Sequence, residues 1–252
     1  MTMDFTLSIV VPVWREVRRL DPWLAGLSAD FAQDDIIVVD GGSDDGSRDV
    51  VRRFPRVTLL DSPRGRARQM NTGARAARGD VLLFLHADTR LPPGARAAIL
   101  DALADPRVVA GRFDVQFDNP RPVFHMIAAL MNLRSRLSGI STGDQAIFVR
   151  RLVFERLGGY ADIPLMEDIE LTRRLKRAGR LAALRQRVTT AARKWEREGV
   201  VRTIVLMWTL RLLYAGGVSP ARLHRWYYGP AALTEATPPV QPNAATKEAR
   251  PR

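Results

Sequence analysis

Short apolar runs alternate with longer amphipathic stretches through the first hundred residues. Residues 7–11 (LSIVV) are a continuous β-branched run stopped by Pro12, the pattern of a strand buried on both faces. A helical stretch over 18–31 follows, and residues 35–39 (DIIVV) repeat the strand pattern before the turn Asp40-Gly41-Gly42-Ser43-Asp44-Asp45-Gly46. The pattern then predicts a helix over 47–54, a strand over 57–60, a helix over 66–77 closed by Gly79, and a fourth strand over 81–85 (VLLFL). Pro92-Pro93-Gly94 opens a helix over 95–104. Strands alternating with helices predict an α/β, doubly wound, mostly parallel sheet with right-handed crossovers. In such sheets ligands bind beyond the carboxyl ends of the strands, where Glu16, Asp40, Asp44 and Asp88 all fall.

The second half has a different texture. Residues 111–117 read as a strand, 123–137 as an apolar helix, and 141–149 (STGDQAIFV) as a polar segment that becomes a strand. A short helix over 151–157 stops at Gly158-Gly159, and another runs from Met166 to Ala178, ended by Gly179. The α/β domain is expected over 5–180, followed over 181–229 by a basic, apolar helical extension packing on the domain or on a membrane surface. Residues 230–252, mostly Pro, Ala, Thr and Glu, read as a disordered tail. Between Arg202 and Arg211 lie eight mostly apolar residues, about 12 Å of helix, against a hydrocarbon core about 30 Å thick. The segment is too short to span a bilayer.

Composition narrows the chemistry. Among 252 residues there is no cysteine, which excludes disulfides, zinc fingers and thiolate catalysis. Only His86, His125 and His224 are present, which argues against a multi-histidine metal site. The start has no basic region followed by an apolar stretch, so no secretory signal is expected and the chain is read as cytoplasmic. The net charge of +12 is unevenly placed: residues 1–111 carry 15 basic and 15 acidic side chains, residues 112–252 carry 24 and 12. Such a basic half suits nucleic acid, anionic lipid or a phosphorylated substrate, or is solvated arginine with no partner. Residues 185–225 hold nine Lys and Arg against two Glu, with Trp195, Trp208, Tyr214 and Trp226 in or beside them. That mixture predicts peripheral, salt-sensitive contact with an anionic membrane on its cytoplasmic face.

Three acidic positions carry candidate chemistry. Asp40 lies in a glycine-rich turn whose backbone can approach a ligand closely; the competing roles are an Asx turn and capping of the next helix, and the cap suits Ser43 or Asp44 better. Asp88, in His86-Ala87-Asp88, offers an oxygen ligand at a strand end, the way a Mg²⁺ or Mn²⁺ ion is held beside a diphosphate with few protein ligands. Glu167-Asp168 occupies a first helical turn, where the helix dipole keeps an aspartate ionised, as a proton acceptor needs; simple stabilisation of the helix end is the alternative.

Together these segments resemble the inverting, nucleotide-sugar-dependent glycosyltransferases of family 2, with the GT-A fold. Residues Ile9-Val10-Val11-Pro12-Val13-Trp14-Arg15-Glu16 look like that family's strand followed by Pro-Val-aromatic-x-Glu. Val38-Val39-Asp40-Gly41-Gly42-Ser43-Asp44-Asp45-Gly46-Ser47 is similar to its VDxxSxDGS turn, and Phe84-Leu85-His86-Ala87-Asp88-Thr89-Arg90-Leu91-Pro92 to its metal-site segment. Glu167-Asp168-Ile169-Glu170-Leu171 resembles the element that supplies the catalytic base. The four motifs stand in the family's order over roughly residues 5–180.

The resemblance implies a metal-dependent hexosyl transfer from a nucleotide sugar, with uracil the expected base, to an acceptor hydroxyl or carboxylate. Asp168, with Glu167 beside it, would take the acceptor's proton. Pro12, Val13, Glu16, Asp40, Ser43, Asp44, Arg66, His86 and Ala87 would contact the nucleotide sugar, and Asp88 the divalent ion. His86 departs from the family's usual aspartate, and an aspartate restored there is expected to be tolerated. Arg193-Lys194-Trp195 faintly resembles an arginine-tryptophan element and is read as a diphosphate contact. The HADT and GDQAIF sequences are similar to small stand-alone bacterial members, some called glucosyltransferases of carotenoid acids, which suggests a lipid-like acceptor such as a carotenoid acid or polyprenyl derivative. Two other classes remain open. A sugar-1-phosphate nucleotidyltransferase would need a glycine-rich loop where Pro-Val-Trp-Arg-Glu stands. A nucleic-acid-binding protein would use the charge but lacks aromatic-plus-basic or helix-turn-helix signatures, so nucleic acid is not expected as a partner.

Overall fold

The computed structural model describes residues 5–229, so the expected tail over 230–252 lies outside the described residues. The first half is built of β1 (Leu7–Val13), α1 (Val17–Asp30), β2 (Asp35–Asp40), α2 (Ser47–Arg52), β3 (Val57–Asp61), α3 (Arg66–Ala76), β4 (Val81–Phe84), β5 (Thr89–Arg90) and α4 (Ala95–Leu103). The second half contains β6 (Val108–Phe117), α5 (Pro122–Ser138), a 3₁₀ turn (Gly143–Gln145), β7 (Ile147–Arg150), α6 (Arg151–Arg156), α7 (Glu167–Ala178) and β8 (Arg180–Thr190). Three helices close the described chain: α8 (Arg193–Glu198), α9 (Val200–Ala215) and α10 (Pro220–Tyr228).

One sheet holds all eight strands in the order β3-β2-β1-β4-β7-β6-β8-β5. β1 to β4 pair in parallel, whereas β7 runs antiparallel between β4 and β6. The apolar runs cover both faces: Ile9, Val11 and Leu83 join the cluster under α1 and α4, and Val10, Val39 and Phe84 the one under α3 and α7. Both faces are buried because helices pack on each, which is why these strands show no polar alternation.

Two local expectations change. β1 does not stop at Pro12 but continues to Val13, with Pro12 opposite Val39. Residue 10 turns its carbonyl toward β4, accepting from the Leu85 N–H, so residue 12 faces the same side; β4 has ended there and the missing proline N–H leaves no partner unsatisfied. Residues 180–190 are not the start of a helical extension but strand β8, paired in parallel with β6 and antiparallel with β5. Its arginines and largely exposed side chains hide it, because the backbone ladder rather than an apolar run defines it. The α9 helix turns Val201, Val205, Trp208 and Leu212 to solvent.

Among the described residues, no helix is long and apolar enough to cross a membrane. Among the described residues, three other than glycine have positive φ: Arg15 (55°), Ala146 (49°) and Met166 (70°). Such conformations cost of order 1–3 kcal/mol each and gather at functional sites. Each of these three lies within two residues of an acidic side chain at one end of the sheet.

Candidate active site

A cavity of about 450 Å³ opens at the carboxyl ends of β1 and β4. Pro12, Val13 and Glu16 follow β1 into it, and His86, Ala87 and Asp88 follow β4. Arg66 at the start of α3 and Glu167 at the start of α7 line it as well, and His224 and Tyr228 of α10 close it.

The left-handed turn at Arg15 directs the chain so that Glu16 enters the cavity. Ser43 and Asp44, expected to contact the nucleotide, brace that turn and do not line the cavity: the Arg15 N–H donates to Ser43 Oγ at 2.9 Å, and its guanidinium makes two 2.6 Å bonds to Asp44. Neither caps α2. Gly46 holds that position, and Asp45 Oδ1 accepts from the Ser47 N–H at 3.0 Å. Asp40 is buried behind the cavity wall; Oδ2 accepts from the N–H groups of Gly42 and Ser43 at 2.9 Å each, while Oδ1 is buried without a partner. Gln69 locks the two loops together, donating from Nε2 to the carbonyls of Val13 and Val39 at 2.8 Å each.

Burial raises the Glu16 carboxyl; Arg193, whose Nη2 lies 3.7 Å from Oε2, opposes this, and the neighbouring Asp88 carboxylate adds to it. Glu16, Asp88 and His86 at one sheet edge suit a hard, oxygen-preferring cation. Among the described residues, no three His, Asp or Glu side chains are grouped to hold an ion by themselves, so an ion here would need phosphate and water to complete its shell. Arg64, Arg66 and Arg68 share the cavity with these acids. Burial disfavours the charge on Arg66, but Tyr228, Glu167, Asp144 and Asp168 outweigh it and hold the guanidinium firmly protonated. The roof is cationic too: Lys194 lies 3.6 Å above the Tyr227 ring, and burial draws its ammonium down to about 8.

His86 Nδ1 lies 3.4 Å from Oδ1 of Asp144, a residue the sequence reading did not single out although it stands in the GDQAIF stretch. Burial raises the Asp144 carboxyl, but His86, Arg66 and Arg211 prevail and bring it to about 2. The contact needs the adjacent glycine, since a Cβ on Gly143 would come within 2.5 Å of the imidazole. The left-handed Met166 then sets the two acids of α7 apart. Glu167 is buried on the cavity wall, and burial together with the Asp168 charge raises it to about 7, with Arg66 opposing. Asp168 does not line the cavity. Its Oδ2 accepts from the Gly143 N–H at 2.9 Å and Oδ1 from the Ile169 N–H at 2.7 Å, and its charge acts on Arg134 and Arg211 behind the roof.

Residues 8–157 match the model of glycosyl transferase family 2. A dolichol-phosphate mannosyltransferase of Mycosarcoma maydis is 34% identical over 110 residues, 38% of this chain and 37% of that protein. The probable glycosyltransferase YdaM of Bacillus subtilis is 27% identical over 84% of this chain and 54% of its own length. The chain thus spans between about a third and a half of these curated relatives. Among solved structures, the mannosyltransferase PcManGT of Pyrobaculum calidifontis, in complex with GDP-Man and Mn²⁺, superposes with a TM-score of 0.63 at 25% identity, covering 93% of this chain and 74% of that one. The fold is GT-A.

Proposed function

Because the chain belongs to glycosyl transferase family 2, we propose that it transfers a sugar from a nucleoside-diphosphate donor to an acceptor with inversion at the anomeric carbon. One observation carries this reading: the carboxylates of Glu16 and Asp88 share a single cavity with the guanidiniums of Arg64 and Arg66, a setting for a cation and a diphosphate together. Asp88, with Glu16 and His86 beside it, would hold Mn²⁺ or Mg²⁺; when bound, the ion supplies positive charge that offsets the charge developing on the leaving diphosphate. Arg66, held protonated on the cavity wall, contributes fixed charge to the same end.

Pro12, Val13 and Ala87 wall the nucleoside, and the buried Asp40 braces that wall through the N–H groups of Gly42 and Ser43. As the anomeric carbon bonds to the acceptor oxygen and its bond to the diphosphate breaks, Asp168 takes the hydroxyl proton from the acceptor side. Glu167, on the donor side, accepts a hydrogen bond from the sugar. The PcManGT complex supports a nucleotide sugar with a divalent ion, and the dolichol-phosphate relative supports a lipid-linked acceptor. The basic, aromatic segment over 185–225 fits peripheral contact with an anionic membrane that carries such an acceptor.

The test is a panel of UDP- and GDP-sugars with Mn²⁺ or Mg²⁺, read as metal-dependent nucleotide binding and as nucleoside diphosphate release. Saturable binding of one donor and its turnover are expected. No metal-linked binding across the panel would overturn the proposal.

A further inference from the structure

Most interior arginines of this chain are answered by the protein itself. Arg112 and Arg136 converge on Asp114, and Arg150 donates to the carbonyls of Val108 and Leu103. Arg174 is held by Glu170 and by the carbonyls of Leu157 and Gly159. Arg134 is different: its Nε and Nη2 are both buried and neither has a hydrogen-bond partner. Burial, with the nearby charge of Arg211 adding to it, brings it down to about 10, while Asp168 and Asp144 pull the other way. Two half-buried guanidiniums within reach of one another, one with two N–H groups unanswered, are costly unless an anion joins them.

The helices that carry them give that anion an apolar companion. Val123 and Ile127 near the start of α5 share one apolar cluster with Val200 and Ile204 near the start of α9, and Arg134 and Arg211 further along lie within electrostatic reach of each other, so the two helices run in the same direction. Each turns a stripe outward at the same spacing: Met126, Leu130, Leu133 and Leu137 on α5, and Val201, Val205, Trp208 and Leu212 on α9, every one more than half exposed. Spacings of four, three and four residues keep each stripe on one helix face. Arg134 sits next to Leu133 and one turn from Leu130 and Leu137, and Arg211 sits next to Leu212 and one turn from Trp208. A cationic, hydrogen-bond-hungry notch therefore borders an uncovered apolar surface, and Asp168 lies within electrostatic reach of it on the inner side.

We infer that Arg134 and Arg211 form an acceptor subsite for an anionic amphiphile, binding its phosphate or carboxylate while its apolar part lies along the exposed stripes of α5 and α9. This deepens the glycosyl-transfer reading and rests on it for the word acceptor, but not for the binding. The anion would answer the unsatisfied N–H groups of Arg134, for which planar guanidinium-to-oxyanion pairing is well suited. A hydroxyl of the same molecule would then reach Asp168.

The experiment uses the full chain and three probes below their micellar concentrations: inorganic phosphate, dodecyl phosphate, and dodecyl maltoside, which has the same tail without charge. Calorimetric titration should show dodecyl phosphate binding at least about tenfold more tightly than either of the others. Arg134→Gln and Arg211→Gln should each weaken it about tenfold, with Arg211→Lys falling between. Nucleoside diphosphate binding with Mn²⁺, measured on the same samples, should not change. If Arg134→Gln lowers the melting temperature enough to confuse the reading, Arg211→Gln carries the test alone. Equal binding of dodecyl maltoside would make the stripes a contact for detergent or bilayer only and overturn the subsite. Wild-type affinity for dodecyl phosphate in the Arg211→Gln variant would overturn it as well. Loss of nucleotide binding across the sugar panel would sink the donor reading while leaving this one to stand or fall by its own titration.

Discussion

Nδ1 of His86 lies 3.4 Å from Oδ1 of Asp144, so the imidazole that replaces an aspartate at the end of β4 is matched by a carboxylate on a neighbouring turn. Aspartate at 86 alone, expected from sequence to be tolerated, would set two carboxylates against each other. His86→Asp is therefore expected to lower turnover about tenfold, and His86→Asp combined with Asp144→Asn to recover most of it. Steady-state kinetics on the single and double variants decides the matter; full activity in His86→Asp would show that the pair is incidental.

Asp88→Ala should abolish the dependence of nucleoside diphosphate affinity on Mn²⁺. Among the described residues no three ligands for an ion are grouped, so the wild type should hold Mn²⁺ weakly until the diphosphate arrives. Titrations of metal with and without nucleotide check both statements. Tight metal binding in the absence of nucleotide would contradict the assignment.

Asp168→Asn is close to isosteric and keeps an oxygen for the Gly143 N–H, so the fold and donor binding should survive. Turnover should drop about 100-fold, within the usual worth of a positioned proton acceptor. Retention of more than a few per cent of activity would mean that the attacking oxygen is already ionised, as a carboxylate would be, or that Glu167 serves instead.

Glu167 makes stability depend on pH in an unusual direction. Its carboxyl is raised from 4.5 to about 7 in the folded chain, so between those values the folded state binds more protons than the unfolded one. The contribution of this group to stability thus falls as pH rises through the window and is lowest above it. Glu167→Gln should flatten that part of the profile and raise the melting temperature at pH 8 relative to pH 5. Thermal denaturation across the window would show an unchanged slope if the charge were compensated.

Much of this was legible in the chain because a parallel sheet converts sequence order into position. Every strand that ends in the same direction delivers its next residues to one edge, so Glu16 after LSIVVPV and Asp88 after VLLF had to be neighbours. What the chain hid were contacts made by pairing at long range. Asp144 reaches His86 because β7 runs antiparallel beside β4, and nothing local to GDQAIF announces that. Ser43, Asp44 and Asp40 were ambiguous for a chemical reason: the oxygens that bind ligands also brace turns, and only the geometry shows that Ser43 and Asp44 hold Arg15. The roof was hidden by its charge. Basic residues over 185–225 spoke of an anionic membrane, and although Arg193 was legible as a diphosphate contact, nothing marked Tyr228 as turning inward to the cavity.

The pairing of β5 with β8 bears on how this protein can be cut and recombined. β5 begins at the residue after Asp88 and is held through Thr89 to Thr190 and Arg90 to Thr189, at the far end of a strand that lies beyond the family-matched stretch 8–157. A fragment ended at that boundary would keep the motifs around Glu16, Asp40 and Asp88 but lose Glu167-Asp168 together with the clamp on the loop after Asp88. It would also strip one edge of β6, leaving open backbone groups that invite pairing between chains and aggregation. Chimaeras that exchange acceptor preference between relatives should therefore place the junction after Ala192, whose N–H donates to Asp118 at 2.8 Å and fastens the end of β8 to the body of the sheet.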